Sequence, residues 1–405
     1  MMTVNDKPNG EEPLPADLPL HTPAVVDVFA EVLKRGPIAR IDIARRTGLS
    51  QAAVTKAVAP LIGRGLLATH DFQRGDTPGR PVQPISVNEE AQLAIGVTVR
   101  VNEVFGVATT MRANVLHAVH ASLGSPSVAT VVDVVADTVE SLKARLGSAA
   151  RKVMRIGVAV SGDVDKKNGV VRDSPRMNWT AVPLGELLES RLGAAVTLDN
   201  DVRALSIAEE WFGIGLDATS FAIVTIGAGI GCGLYVNGDV VEGDHGVAGE
   251  LGHLPLAPAG GRCSCGRRGC VETVASSGAI LESVREAKGD PLLTMREVVR
   301  LARDGDPDAR AALERAASTI GLALATMANL VGPSVILVAG ESVTDFDLYE
   351  QRIRESFEEH TFGSAAKCRI LTRSHTFEDW ARGAAAAAIR AAVHDDRNPA
   401  KGGGE

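Results

Sequence analysis

Three of the five cysteines fall within ten residues, in "GRCSCGRRGC" at 261–270, and "GELGHLPL" places His253 ten residues before Cys263. One imidazole and three thiols, His253, Cys263, Cys265 and Cys270, make a closed tetrahedral set, the ligand count of structural zinc. Any fold of this chain must curl that stretch around one point, and Gly261, Gly266 and Gly269 give the loop freedom to turn three sulfurs inward. Soft thiolates favour Zn²⁺ over Ca²⁺ or Mg²⁺. The rivals are a redox pair and a reactive thiol. Cys-x-Cys is a poor redox spacing, and four ligands leave no open position for a catalytic water. One structural Zn²⁺ per chain is the expectation. Cys232 and Cys368 lack such neighbours and read as buried bystanders.

The thiol cluster also bears on compartment, because clustered cysteines mean metal where disulfides are rare. The start "MMTVNDKPNGEEPLPADLPL" has no basic-then-apolar leader, so a cytoplasmic location is expected. The most lipid-like run, "FAIVTIGAGIGCGLYV" at 221–236, is broken by glycines and too short to span a bilayer. No membrane partner is expected. At 405 residues the chain exceeds one ordinary core. Charge divides it further. Lys34 to Arg80 carries nine basic against three acidic residues, a balance of +6; with −8 overall, the remainder carries −14. A basic module on an acidic body suits a chain that meets a polyanion at one end.

That module reads as helices. "TPAVVDVFAEVLKRGP" puts Val25, Val28, Phe29, Val32 and Leu33 on one face. "RIDIARRTG" ends at Gly48, and Ser50 caps "SQAAVTKAVAPLI", with a bend expected at Ala59-Pro60. Two helices joined by a glycine turn make a helix-turn-helix whose second helix enters the major groove. Gln51, Ala52, Thr55 and Lys56 are its candidate DNA contacts. "GLLATHDF" and "QRGDTPGRPVQPISV" add a wing with Arg74 and Arg80 near its tip. The competing reading is a helical bundle with a solvated basic face. The wing and the charge imbalance favour operator DNA, read as a homodimer or higher oligomer because one short helix reads too few bases.

From about Gln92 short apolar runs alternate with amphipathic helices, the pattern of an α/β body. "AAVTLDND" carries Asp199, Asn200 and Asp201 to a strand tip, where ligands of such sheets usually sit, although helix capping explains an Asp there equally well. "TIGAGIGCG" brings Gly227, Gly229 and Gly231 into a turn that either cradles phosphate or only turns a sheet. Asn237-Gly238 signals a hairpin. Glu250 and Glu272 flank the cysteine loop. Carboxylates, an amide and a histidine converging on a cleft suit a polyol, whose hydroxyls donate and accept.

"GELGH", "CSCGRRGCVE", "DND" and "TIGAGIGCG" together resemble the ROK family of repressors and sugar kinases, and the head resembles the winged helix of its repressor branch. The match runs from about residue 22 to 393. The resemblance implies an α/β, two-lobed, actin-like and hexokinase-like fold. It implies a winged head at 21–87 and a first lobe at 91–201, completed by a C-terminal helix at 378–395. A second lobe with the zinc loop follows at 202–377, with disordered tails at 1–20 and 396–405. It further implies that Asn200, Asp201, Glu250, His253 and Glu272 contact sugar, that Asp201 stands at the kinase base position, and that His253, Cys263, Cys265 and Cys270 hold zinc.

One departure matters. Kinases of the family open their first lobe with an Asp and a Gly-Gly-Thr turn that hold Mg²⁺ and phosphate. "IGVTVRVN" puts Thr98 at that Asp and supplies no glycine pair, and the later glycine pair becomes Ala339-Gly340. Without a clamp, phosphoryl transfer loses most of its catalysis. No catalytic residue is therefore expected, Asp201 being a vestigial base. The expectation is a repressor released from DNA by a sugar or sugar phosphate. An active sugar kinase with an accessory DNA head is the alternative; a ligand-free DNA-binding scaffold fits the polar cluster poorly.

Overall fold

The computed structural model describes residue 18 and residues 20–71, 82–340, 345 and 347–394. The proposed wing contacts Arg74 and Arg80 lie outside the described residues, as do nearly all of the tails assigned to 1–20 and 396–405. The head comprises α1 (Pro23–Arg35), α2 (Arg40–Thr47) and α3 (Gln51–Gly63). Val28, Phe29, Val32 and Leu33 of α1 are shielded from solvent, in one cluster with Ile43, Val54, Val58 and Leu61. Each large apolar side chain so buried contributes about 1.5–3 kcal/mol. Gly48, at φ +72°, ends α2, and Ser50 caps α3 by accepting from Ala53 N at 3.2 Å. Pro60 sits in the last turn of α3, which continues to Gly63, so its missing N–H removes one bond near a frayed end. Strands β1 (Leu67–Thr69) and β2 (Ile85–Val87) pair antiparallel.

Lobe 1 opens with β3 (Leu93–Val99), β4 (Glu103–Thr110) and β5 (Val115–Ser122), then α4 (Val128–Leu146) and β6 (Val153–Val160). Strands β7 (Asp163–Asp165), β8 (Val170–Ser174) and β9 (Trp179–Val182) make a small antiparallel sheet. Helix α5 (Leu184–Leu192), β10 (Val196–Asn200) and α6 (Asp201–Phe212) follow. Lobe 2 contains β11 (Phe221–Ile226), β12 (Ile230–Val236), β13 (Asp239–Val240), α7 (Glu272–Ala275), α8 (Ser277–Lys288), α9 (Met295–Arg303), α10 (Pro307–Val331), β14 (Val335–Ala339), α11 (Glu350–His360) and β15 (Arg369–Thr372). Helix α12 (Phe377–His394) ends the described chain.

The two main sheets repeat one plan. Lobe 1 has the order β5-β4-β3-β6-β10 and lobe 2 the order β13-β12-β11-β14-β15. In both, the first three strands are antiparallel and the last three parallel. Asn237 (φ +52°) and Gly238 (φ +93°) form the tight turn between β12 and β13. Helix α12 packs back on lobe 1. A Cβ at Gly96 of β3 would run into the Ala381 carbonyl oxygen, and one at Gly157 of β6 into that of Ala384. Backbone therefore lies on backbone, and α6 and α12 form a spine between the lobes. Among the described residues no helix is long and apolar enough to cross a membrane.

Candidate functional site

A cavity of about 420 Å³ lies in the interlobe cleft. Both lobes and α12 line it. Thr98, Arg100, Gly162 and Arg176 come from lobe 1; Gly227, Gly229, Gly231, Glu250, His253 and Glu272 come from lobe 2; Phe377 and Trp380 come from α12. Asn200 and Asp201 lie at the junction of β10 and α6, the carboxyl end of a parallel strand. All five proposed sugar contacts therefore line one cavity.

The three residues of "DND" have separate tasks. Asp199 is buried and paired with Arg203, whose guanidinium also donates to Val164 O (3.1 Å) and Gly246 O (2.9 Å) and so bridges the lobes. Asn200 is the helix cap. Its Oδ1 accepts from Val202 N (3.0 Å) and Arg203 N (3.1 Å), and its Nδ2 donates to Gly162 O at 3.0 Å. Capping thus falls to Asn200, which leaves Asp201 to face the cavity, with Oδ1 accepting from Val202 N at 2.9 Å. Burial raises the Asp201 carboxyl above its ordinary value, against the opposing pull of the Val202 N–H, Arg100 and Arg176. Glu250 is raised too, first by partial desolvation and then by the neighbouring Asp163, Glu272 and Asp201 carboxylates, against the His253 ring.

The cysteine loop builds the lobe 2 wall. The ligand atoms of His253, Cys263, Cys265 and Cys270 all lie within 4.8 Å of one another. His253 Nδ1 is 3.4 Å from Cys263 Sγ, and Cys265 Sγ is 3.7 Å from Cys270 Sγ. Zn–S bonds of about 2.3 Å at tetrahedral angles put two sulfurs about 3.8 Å apart, so this donor set fits a metal. A disulfide needs about 2.05 Å, so these thiols are not bridged. Gly266 (φ +87°) and Gly269 (φ +77°) supply left-handed turns, whereas Gly261 does not adopt a positive φ. The imidazole has two faces: Nδ1 points to the thiols, while Nε2 lies 3.8 Å from Glu250 Oε2. Cys270 is followed by Glu272 at the start of α7, so the same loop sets a second acid. Cys232 is buried, but Cys368 is only half-buried, which corrects its reading as a core residue.

The glycine turn has a packing reason. A Cβ at Gly229 would meet Arg176 and Glu272, and one at Gly231 would meet Val202 and Thr225. Ile230 N donates to Glu272 Oε2 at 3.2 Å, and Gly231 N to Thr225 Oγ1 at 3.2 Å. Two of its N–H groups are thus engaged within the protein. Arg100 and Arg176 escaped the sequence reading. Arg176 follows β8, in the small sheet, and donates to Ala228 O at 2.5 Å. Arg100 follows β3 and stacks 4.6 Å over the Phe377 ring. Neither belongs to a local motif, although Arg100 lies two residues beyond Thr98.

In the head, Gln51, Ala52, Thr55 and Lys56 are all exposed on one side of α3. Thr55 Oγ1 donates back to Gln51 O at 2.9 Å.

Comparison with known proteins gives one answer. The chain is 27% identical to the xylose repressor of Bacillus spizizenii over 329 residues, 81% of this chain and 84% of that one. It is 31% identical to the DNA-binding transcriptional dual regulator NagC of Escherichia coli K12 over 335 residues, 79% and 80% of the two chains. Its fold matches the crystal structure of a ROK family transcriptional regulator, a homologue of the E. coli MLC protein, with a TM-score of 0.78 at 26% identity, covering 92% of this chain and 96% of the other. A ROK family glucokinase from Streptomyces griseus, in complex with glucose and AMPPNP, matches with a TM-score of 0.64 at 26% identity, covering 74% and 99%. The ROK family profile matches residues 94–391, and with it the repeated sheets, the cleft and the cysteine loop agree: this chain belongs to the ROK family.

Proposed function

We propose that the protein is a cytoplasmic, sugar-responsive transcriptional repressor that binds operator DNA as a homodimer or higher oligomer. The observation that carries the reading is the convergence of Asn200, Asp201, Glu250, His253 and Glu272 on one cavity in a chain whose head exposes Gln51, Ala52, Thr55 and Lys56. Relatives that are named repressors support it. The head at 21–87 reads DNA, with Arg74 and Arg80 on the wing. The lobes at 91–201 and 202–377 take the sugar between them, and the helix of 378–395 closes the first lobe. A sugar that binds the closed cleft better than the open one shifts the population toward the closed form. Sugar and DNA then weaken each other by the same factor.

A structural Zn²⁺ fits His253, Cys263, Cys265 and Cys270. When bound, it supplies a fixed cross-link and no reaction. His253 would be held through Nδ1, leaving Nε2 and the adjacent Glu250 toward a sugar hydroxyl. Asp201 accepts a hydroxyl's hydrogen bond at the position where a kinase would use it as base. Thr98, at the position where the resemblance puts the kinase Asp, offers a hydroxyl and no carboxylate for Mg²⁺, and Arg100 beyond it stacks on Phe377. The Asp201 carboxylate is the observation favouring a second reading, an active sugar kinase. Sugar-dependent ATP turnover distinguishes the two: none above a buffer-and-metal control is expected, and robust turnover abolished by Asp201→Ala would establish the kinase instead.

A further inference from the structure

The carboxyl end of α1 is gripped by two elements, the end of α6 and the β4–β5 hairpin of lobe 1. Lys34 Nζ donates to Glu210 Oε1, in the last turn of α6, at 2.8 Å. Arg35 donates to Asp217 Oδ1 at 2.9 Å and to Leu216 O, just past α6. From lobe 1, Arg112 in the β4–β5 turn donates to Gly36 O at 2.7 Å and Lys34 O at 3.4 Å. These grips differ in strength. Asp217 is 89% exposed, and ion pairs in that setting contribute little. Glu210 is 6% exposed, and Arg112 places a cation on the last carbonyls of a helix, where the dipole favours it.

Helix α12 connects this junction to the cleft. Its first residue, Phe377, lines the cavity beneath Arg100. Midway, Arg382 Nε donates to Ala113 O at 2.9 Å, one residue from Arg112. At the far end, His394 meets Trp211 edge-on with ring centroids 5.7 Å apart, and Lys34 Nζ lies 4.7 Å from the Trp211 ring centroid. The 18-residue helix spans about 27 Å.

Nothing slack separates head from body. Asn88 binds the head through Leu66 O (2.8 Å) and Gly65 O (3.0 Å), and Met111 N donates to Glu89 O at 2.9 Å. Phe29 and Leu33 of the head share one apolar cluster with Met111, Trp211 and Ile389. Yet the polar groups of the junction are incompletely paired: Glu210 Oε2 and Trp211 Nε1 are buried without a hydrogen-bond partner.

We infer that Lys34, Arg35 and Arg112 are positioning residues, forming a joint that converts a change in cleft angle into a change in head angle. The inference rests on the sensor reading above. Glu210 and Arg112 stand on different elements, α6 and the lobe 1 hairpin. When the lobes rotate about the spine, the two grips on α1 move apart, and the head turns as one of them yields. Spatial continuity alone is not coupling, so the variants below test whether sugar and DNA both bias the joint.

The test uses the full-length chain, a duplex selected from a random pool, and xylose, glucose and N-acetylglucosamine, each with and without a phosphate ester. DNA affinity is measured with and without each sugar, and sugar binding is measured separately without DNA. Wild type is expected to lose about 5- to 150-fold in DNA affinity with its sugar. Arg112→Ala and Lys34→Ala are expected to bind that sugar normally but to lose less than about two-fold in DNA affinity. The exchanged pair Lys34→Glu with Glu210→Lys restores part of the response, which a general folding defect would not. Without any ligand, Arg112→Ala should speed amide exchange in α1 while the lobes keep their melting temperature. Variants with the wild-type ratio and unchanged exchange overturn the joint. A wild type that neither binds these sugars nor responds to them overturns the sensor reading instead.

Discussion

The two walls of the cleft are built differently. On the lobe 2 wall, His253, Glu250 and Glu272 sit on or beside one loop, each within two or three residues of a proposed zinc ligand or serving as one. On the lobe 1 wall, Thr98 is buried in its strand, and Arg100 turns onto Phe377 of α12. The lobe 2 wall presents two acids and an imidazole from one loop, whereas the lobe 1 side presents the guanidiniums of Arg100 and Arg176 and the Asn200-Asp201 strand tip. A kinase needs both walls, whereas a sensor needs one rigid wall and a second that moves against it.

Removing the metal ligands should break that contrast most severely. Cys265→Ser is expected to lower the zinc content from about one per chain to none. It should cost about 4–5 kcal/mol of stability, because the loop and the wall it carries lose their cross-link. Elemental analysis and thermal unfolding check both. Next comes the residue between the walls. Asp201→Ala removes a hydrogen bond to a charged acceptor, worth about 1.5–3 kcal/mol, or roughly ten- to hundred-fold in sugar affinity. DNA binding without sugar should be unchanged, since Asn200 rather than Asp201 caps α6. Calorimetry and gel-shift titration give the two numbers.

The lobe 1 wall should respond weakly. Arg100→Ala forfeits its stacking on Phe377, about 0.5–1 kcal/mol of thermal stability, with sugar affinity nearly unchanged. A large loss of sugar affinity would erase the contrast between the walls. The smallest effect at neutral pH concerns Glu209, buried in α6. Burial raises Glu209, but the His375 and Ile214 hydrogen bonds and Arg373 outweigh it, so its carboxyl is held below the ordinary 4.5. A depressed acid contributes its stability fully above pH 4.5 and loses it as pH falls through the folded value. Glu209→Gln should therefore flatten the acid limb of the stability curve and alter little at pH 7.

What the sequence disclosed follows from the range of each signal. The Cys3His set is a local, ligand-count signal, and its four atoms do come together. The periodicity of α1, the glycine that ends α2 and the Asn237-Gly238 turn are likewise local. The sheet of β7, β8 and β9 was not legible, because its strands are three to five residues long and the first two are separated by the polar turn of Lys166, Lys167, Asn168 and Gly169. It brings Arg176 to the cleft, and no pattern near Arg176 announces that. The division of labour within "DND" was also hidden. Which of three adjacent polar residues caps a helix depends on the angle at which the strand enters it, a tertiary property.

The glycine–alanine contact between α12 and lobe 1 has a mechanical consequence. Gly96 and Gly157 receive the backbone of α12 directly, so few side-chain rotamers mesh across that surface. Interdigitated side chains resist sliding, because a shift must unpack one set of rotamers before another can form. A face of glycine against alanine has almost no rotamers to rearrange and no side-chain entropy to redistribute. It costs little side-chain ordering to form, so α12 closes on lobe 1 backbone to backbone and travels with that lobe, carrying Phe377 and Trp380 into the cleft on its side.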